Sequence, residues 1–188
     1  MDAITLQQTC ASTERVVEGV AEDQLDLATP CTEWDVRALL NHLLGTFALG
    51  AALLSDTPPA VDVAPGEVPA TDLVGDDPLQ AYRQAVERLL AAAGGDALQR
   101  AHSTPLGEMP GAVLGGMTAL DILVHGWDLA VATGQDATLD DALAEPALGF
   151  ARETITDDSR ASRIGPEVPV PADASATDRL VAYLGRRP

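Results

Sequence analysis

One apolar run, "TALDILVHGWDLAVATG" (residues 118–134), carries three residues that could do chemistry together: Asp121, His125 and Asp128. At 100° per residue on a helix they fall within about 60° of one another. Asp121 and His125 stand at i, i+4, the spacing by which one helix offers two ligands to a single metal ion. Charged groups enter a protein interior only with partners, so this face either looks at water or binds something. A plainer reading exists beside it. Thr118 and Asp121 also fit a capping box, in which Asp121 would be a first-turn acid satisfied by backbone amides.

His42 adds weight to the metal reading. It sits among leucines in "RALLNHLLGTF", so two of the three histidines lie inside apolar helical runs. A histidine in such a place is commonly a core group bonded to a neighbour. His42, Asp121 and His125 together nevertheless make a two-histidine, one-carboxylate set, the open shell of a catalytic zinc or similar divalent ion, with nickel as the other candidate. Asp128, one turn past His125, is suited to bind the second nitrogen of that imidazole; its plainer reading is an exposed polar residue near a helix end. His102 lies in a Pro/Gly-rich connector and reads as a surface histidine. Trp34 and Trp127 read as core aromatics beside the ligand-bearing helices. Cys31, next to Thr32 at an expected helix start, could be an activated thiol, but it and Cys10 read as structural.

The elements that must position these residues are helical. Residues 4–21 predict a first helix. "TEWD" (32–35) looks like a capping box after Pro30, opening a second helix over about 33–55 that is apolar nearly all round and therefore central. Gly45 and Gly50 inside it each cost roughly 1 kcal/mol against Ala, and would permit close helix approach or leave room beside a metal. Residues 56–76, rich in Pro, Gly and Asp, form a long loop or lid. A third helix runs from Pro78 to Gly94-Gly95. A connector follows over 96–116, with room for an extended piece at "HSTPLGEM". The run quoted above is a helix from near Gly116 to Thr133, stopped by Gly134. A fifth helix covers about 140–156, and a Pro-rich extended piece leads to a short final helix. The pattern predicts an all-α, up-and-down helical bundle within one domain spanning 1–188.

Composition narrows the function classes. The hydrophobic fraction is 46% with only 3% aromatic residues, so the core is mostly Ala, Leu and Val, which favour helices over a large sheet. The formal charge of −18 repels phosphate backbones and anionic membranes, and all 11 basic residues are arginine. Neither nucleic acid nor membrane is expected as a partner. No secretory leader and no run of membrane-spanning length is read. Two cysteines without a dense spacing fit free thiols in a reducing cytoplasm.

"TPCTEWDVRALLNHLLG" and "MTALDILVHGWDLAVATGQ", in this order, resemble the DinB-like metal-binding superfamily. More specifically they are similar to the actinobacterial branch related to the N-terminal domain of mycothiol-dependent maleylpyruvate isomerase, and the tail "GPEVPVPADASATDRLVAYLGRRP" resembles that branch too. The resemblance implies a four-helix bundle holding a divalent metal between helices. The family's metal histidine on the second helix matches His42, and its acid-x-x-x-His pair matches Asp121 and His125. The related isomerases carry a longer carboxylate where Asp121 stands, and 188 residues leave little room for their extra C-terminal domain. The metal site is thus expected to carry over better than the isomerase reaction.

These readings lead to a metal-dependent enzyme that activates a small thiol, mycothiol being the one the resemblance implies, for transfer to an electrophile or for isomerisation. His42, Asp121 and His125 would hold the ion and Asp128 would support His125. Small-molecule thiol and electrophile are the expected partners, and a homodimer is one assembly open to the chain. A metal-containing binding module without turnover is the alternative, and a metal-free bundle in which Asp121 is only a cap is the third.

Overall fold

The computed structural model describes residues 1–62, 64–156, 158, 160 and 164–188. The chain divides into two compact units, Met1–Ala137 and Thr138–Pro188. Residue 63, inside the expected loop, lies outside the described residues.

In the first unit, helix α1 (Ala3–Glu18) begins where Asp2 accepts the Thr5 amide at 2.9 Å. Leu6, Thr9, Cys10, Thr13 and Val17 are its buried stripe, at the helical spacing. It ends before the expected 21, because Gly19 folds back onto Val16 and the Gln135 amide takes the Val16 carbonyl at 3.0 Å.

Helix α2 (Val36–Leu54) starts later than the "TEWD" pattern predicts. Asp35 is its cap, accepting from the Ala38 amide at 2.8 Å. The organising hydroxyl ahead of it is that of Thr29, not Thr32. It donates to the Trp34 carbonyl at 2.8 Å and accepts from the Cys31 amide at 3.1 Å, winding residues 29–34 into a tight turn. Val36, Leu39, Leu43 and Phe47 are fully or almost fully buried, each contributing about 1.5–3 kcal/mol by its removal from water. At 19 residues α2 does reach membrane-spanning length, contrary to expectation, but most of it is buried inside the fold.

Helix α3 (Pro78–Ala92) is capped by Asp77 with Pro78 in its first turn, as expected. The connector after it contains a hairpin, β1 (Ala101–Thr104) and β2 (Gly107–Pro110), antiparallel with His102 opposite Met109. Helix α4 (Gly111–Thr133) follows directly. It therefore starts earlier than expected, Thr118 lies mid-helix with its hydroxyl bonded to the Leu114 carbonyl at 2.9 Å, and Asp121 is not a capping acid. Gly134, at φ 71°, ends the helix where expected.

Helix α1 packs on α3 and α4, and α2 packs on α3 and α4. Two glycines let these helices approach closely. A Cβ on Gly126 would lie 2.4 Å from Thr13 Oγ1, and one on Gly50 would lie 2.9 Å from Thr118 Oγ1. The first draws α1 onto the turn of α4 that carries His125. The second draws α2 onto α4, so of the two readings offered for Gly50 it is helix approach that holds.

The second unit holds α5 (Asp141–Thr154), capped by Asp140, and α6 (Ala176–Tyr183), capped by Ser175. Leu143, Ala144, Leu148, Leu180 and Val181 are buried there. The Arg160 guanidinium lies 4.5 Å from the centre of the Tyr183 ring and donates to the Tyr183 carbonyl at 2.6 Å. The described residues are thus mostly helical, with the small hairpin as the sheet among them.

Candidate metal centre

The α2–α4 contact brings His42, Asp121 and His125 together. His42 Nε2 lies 3.1 Å from Asp121 Oδ2, and His125 Nε2 lies 3.5 Å from Asp121 Oδ1. One donor atom from each of the three lies within 4.8 Å of the other two. The imidazoles are buried, at 2% and 7% exposure, while the Asp121 side chain is 32% exposed. The cluster is walled by protein on the histidine sides and open past the carboxylate.

Each imidazole is turned by a bond at its other nitrogen. His42 Nδ1 lies 2.8 Å from the Glu67 backbone carbonyl. A carbonyl only accepts, so Nδ1 carries the proton and Nε2 is left with a lone pair. His125 Nδ1 lies 2.8 Å from Asp128 Oδ2, and the Asp128 side chain is fully buried. Here too the partner accepts, and Nε2 again points at Asp121. Two nitrogen lone pairs and a carboxylate then face each other in a low-dielectric pocket, which is repulsive unless a cation or an extra proton lies between them. The Thr46 hydroxyl donates to Asp121 Oδ2 at 2.7 Å and fixes that carboxylate as well. Two neutral imidazoles and one carboxylate, each with an outer hydrogen-bond partner, are a donor set that fits a divalent ion such as zinc.

The electrostatics agree. Where a proton takes the place of an ion, burial pushes the Asp121 carboxyl up, but the charge on protonated His125, with the hydrogen bonds from His125 and His42, outweighs it and holds the group well below the usual carboxylate range. Burial likewise pushes the His125 imidazole down, and the Asp121 charge outweighs it, helped by bonds to Asp121, Asp128 and Cys31, so the net direction is well upward. The pocket pulls positive charge onto itself, whether it arrives as a proton or as a metal.

Asp128 is therefore not the exposed helix-end residue of the plainer reading. Cys31 also stands beside the centre. Its Sγ lies 3.3 Å from Asp128 Oδ2 and 3.7 Å from His125 Nδ1. Because α2 starts only at Val36, Cys31 is not at a helix N-terminus; it arrives on the Thr29–Trp34 turn. The same turn lays the half-buried Trp34 ring 4.7 Å from that of His42 and 5.9 Å from that of His125. Trp127 is buried in the core.

His102 is not brought to this cluster, and it is not a surface residue. It is 1% exposed, 3.1 Å from Asp56 Oδ1 and 2.7 Å from the Ala97 carbonyl, and it pins the hairpin to the end of α2. Thr46 and the Glu67 carbonyl are parts of the candidate centre that sequence reasoning missed. Thr46 had a signal, since it stands at i+4 from His42. The Glu67 carbonyl had none, because a backbone acceptor has no letter of its own.

The family model described as "Mycothiol maleylpyruvate isomerase N-terminal domain" matches residues 6–130. That span contains every residue of the cluster and lies within the first unit. The uncharacterized proteins MT0763 and Rv0738, from two strains of Mycobacterium tuberculosis, are each 34% identical over 177 residues, covering 91% of this chain and 90% of theirs. No solved structure matches the chain.

Proposed function

This chain belongs to the mycothiol maleylpyruvate isomerase N-terminal domain family, and on that premise we propose that it is a divalent-metal protein that activates a small thiol, mycothiol, for transfer to an electrophile or for isomerisation. We read α1–α4 as the family's four-helix bundle, with His42, Asp121 and His125 as the ligands between its helices. The observation that carries the reading is the orientation of the two imidazoles. Each is held by an acceptor at Nδ1, and each turns Nε2 towards the Asp121 carboxylate.

A divalent ion there, zinc or nickel, would supply Lewis-acid stabilisation of a thiolate at neutral pH, where a free thiol of pKa near 8.5 is mostly protonated. Asp121 offers the open side, where its partial exposure leaves an approach from solvent. Trp34 lies over the imidazoles and would keep water from that face. Asp128 and Glu67 hold the protons on the two Nδ1 atoms, so that the ligand nitrogens stay available. A cytoplasmic location, where such thiols are kept reduced, goes with this reading, and the charge of −18 disfavours nucleic-acid partners.

One observation favours the alternative of a binding module without turnover. The ionisable groups that make up the cluster are all engaged, Asp128 on His125 and Cys31, and His42 and His125 on Asp121, which leaves no spare acid or base among them. The test is in two parts. Metal content of protein purified without an affinity tag is expected near one ion per chain, and wild-type-level metal in both His42→Ala and His125→Ala would overturn the ligand set. Consumption of mycothiol with a panel of electrophiles then separates an enzyme from a module that binds and does not turn over.

A further inference from the structure

The atom that orients His42 belongs to the loop between α2 and α3, and the residue that ties this loop down is the immediate neighbour of His42. Asn41 is buried on α2. Its side-chain amide donates to the carbonyls of Pro69 and Thr71, both at 3.0 Å, and its oxygen accepts from the Leu73 amide at 2.7 Å. Both amide protons and the carbonyl oxygen are thus spent on one short stretch of loop backbone, and asparagine is the residue that offers two donors and an acceptor at that reach. Arg37, one turn earlier, also reaches the loop, at Asp72 Oδ2 (2.5 Å) and the Gly75 carbonyl (3.1 Å). That tie is exposed and contributes little. Only Val68 separates Glu67 from Pro69; the ring of Pro69 fixes its own φ and keeps Val68 out of the helical region, so holding the Pro69 carbonyl narrows the paths open to the Glu67 carbonyl.

We propose that Asn41 is a positioning residue for the metal centre: by clamping Pro69–Leu73 to α2 it keeps the Glu67 carbonyl on His42 Nδ1 and so presents Nε2 as the ligand atom. This rests on the reading of His42 as a ligand. Without the clamp the loop carbonyl leaves, the imidazole no longer has a fixed tautomer, and a ring protonated at Nε2 must give up or move that proton before it can ligate.

The test uses the full chain with two measurements. Nitrogen-15 NMR of protein stripped of metal with a chelator, recorded at a pH high enough that the ring is neutral, reads the His42 tautomer, and competition with a chromophoric chelator reads zinc affinity. Wild type is expected to show the Nδ1–H tautomer. In Asn41→Ala the tautomer signal should become mixed and zinc affinity should fall about 10–100-fold. Arg37→Gln, which cuts only the exposed tie, should leave both unchanged. Asn41→Asp keeps the shape and the acceptor for Leu73 but loses the donors, and it carries the same readouts if the alanine variant fails to fold. An unchanged tautomer and zinc affinity in an Asn41 variant that merely melts earlier would overturn the proposal. If wild type binds no zinc, the ligand reading falls, and the tautomer alone still decides the clamp: lost in the variant it stands, retained it fails.

Discussion

Asp128 Oδ2 lies 2.8 Å from His125 Nδ1, one turn further along the same helix, with the Asp128 side chain wholly out of contact with solvent. A buried carboxylate with that geometry holds both the ring and its tautomer, and it raises the basicity of the nitrogen on the far side. Replacing Asp128 by Asn keeps the shape and an acceptor but removes the charge. The expected outcome is a protein that still binds zinc with affinity lowered about 10–100-fold. Complete loss of metal in Asp128→Asn would instead make Asp128 a ligand.

Stripping the ion should cost stability. With metal removed, Asp121 and the two lone-pair nitrogens face one another and must recruit protons. Chelation is expected to lower the melting temperature of wild type and to leave those of His42→Ala and His125→Ala unmoved. Differential scanning calorimetry with and without chelator checks this; an equal shift in all three proteins would show that the chelator acts elsewhere.

The two cysteines should behave differently. Burial pushes the Cys10 thiol up to about 12, whereas Cys31 sits half-buried on the turn beside the centre. In the folded protein iodoacetamide at pH 8 should label Cys31 well ahead of Cys10, and both should react after unfolding without reductant. Mass spectrometry of the digested protein reads the sites, and prompt labelling of Cys10 in the native state would contradict the packing of α1.

Cys10 also sets a pH dependence. Its folded value, about 12, lies above the 9.0 of an unperturbed thiol. The folded state therefore holds the proton more tightly, and the stability this group contributes is complete below pH 9 and declines as pH climbs towards 12, by up to about 1.4 kcal/mol per unit. Tyr82, also raised by burial, adds to the loss only above 10. Urea unfolding of wild type and Cys10→Ala between pH 9 and 10 should show a shallower decline in the variant.

His102 should matter to the fold and not to the metal. His102→Ala removes the partner of the Ala97 carbonyl and of Asp56, and a loss of about 2–3 kcal/mol is expected with zinc affinity unchanged. Asp56 is held below its ordinary 3.8 by Arg100 first and by His102 next. Its depressed value stabilises the folded state above about pH 4, and the benefit fades as pH drops through the folded value. Acid unfolding of Asp56→Asn should therefore lack part of the slope seen in wild type.

Much of the site was legible because helical period is written in side chains. Asp121, His125 and Asp128 share a face by spacing alone, and His42 stands out as a histidine among leucines. What was misread depended on partners distant in sequence. Gly111 and Gly115 look like connector by propensity, yet α4 runs through them, and Ala97 and Leu98 pack where a side chain would stand. His102 sits in a Pro/Gly-rich context that suggests a surface, and its burial depends on Asp56, 46 residues away. The capping box read in "TEWD" placed the helix start just after Thr32, whereas the Thr29 hydroxyl winds that stretch into a turn and Asp35 is the cap.

The loop hold on His42 has an evolutionary consequence. The Glu67 side chain is exposed, and only its carbonyl takes part; Thr71 too contributes nothing but a carbonyl to Asn41. Selection on the centre would then act on the path of this loop and, Pro69 apart, hardly on its letters, so the stretch could drift in composition while the imidazole behind it stays aimed.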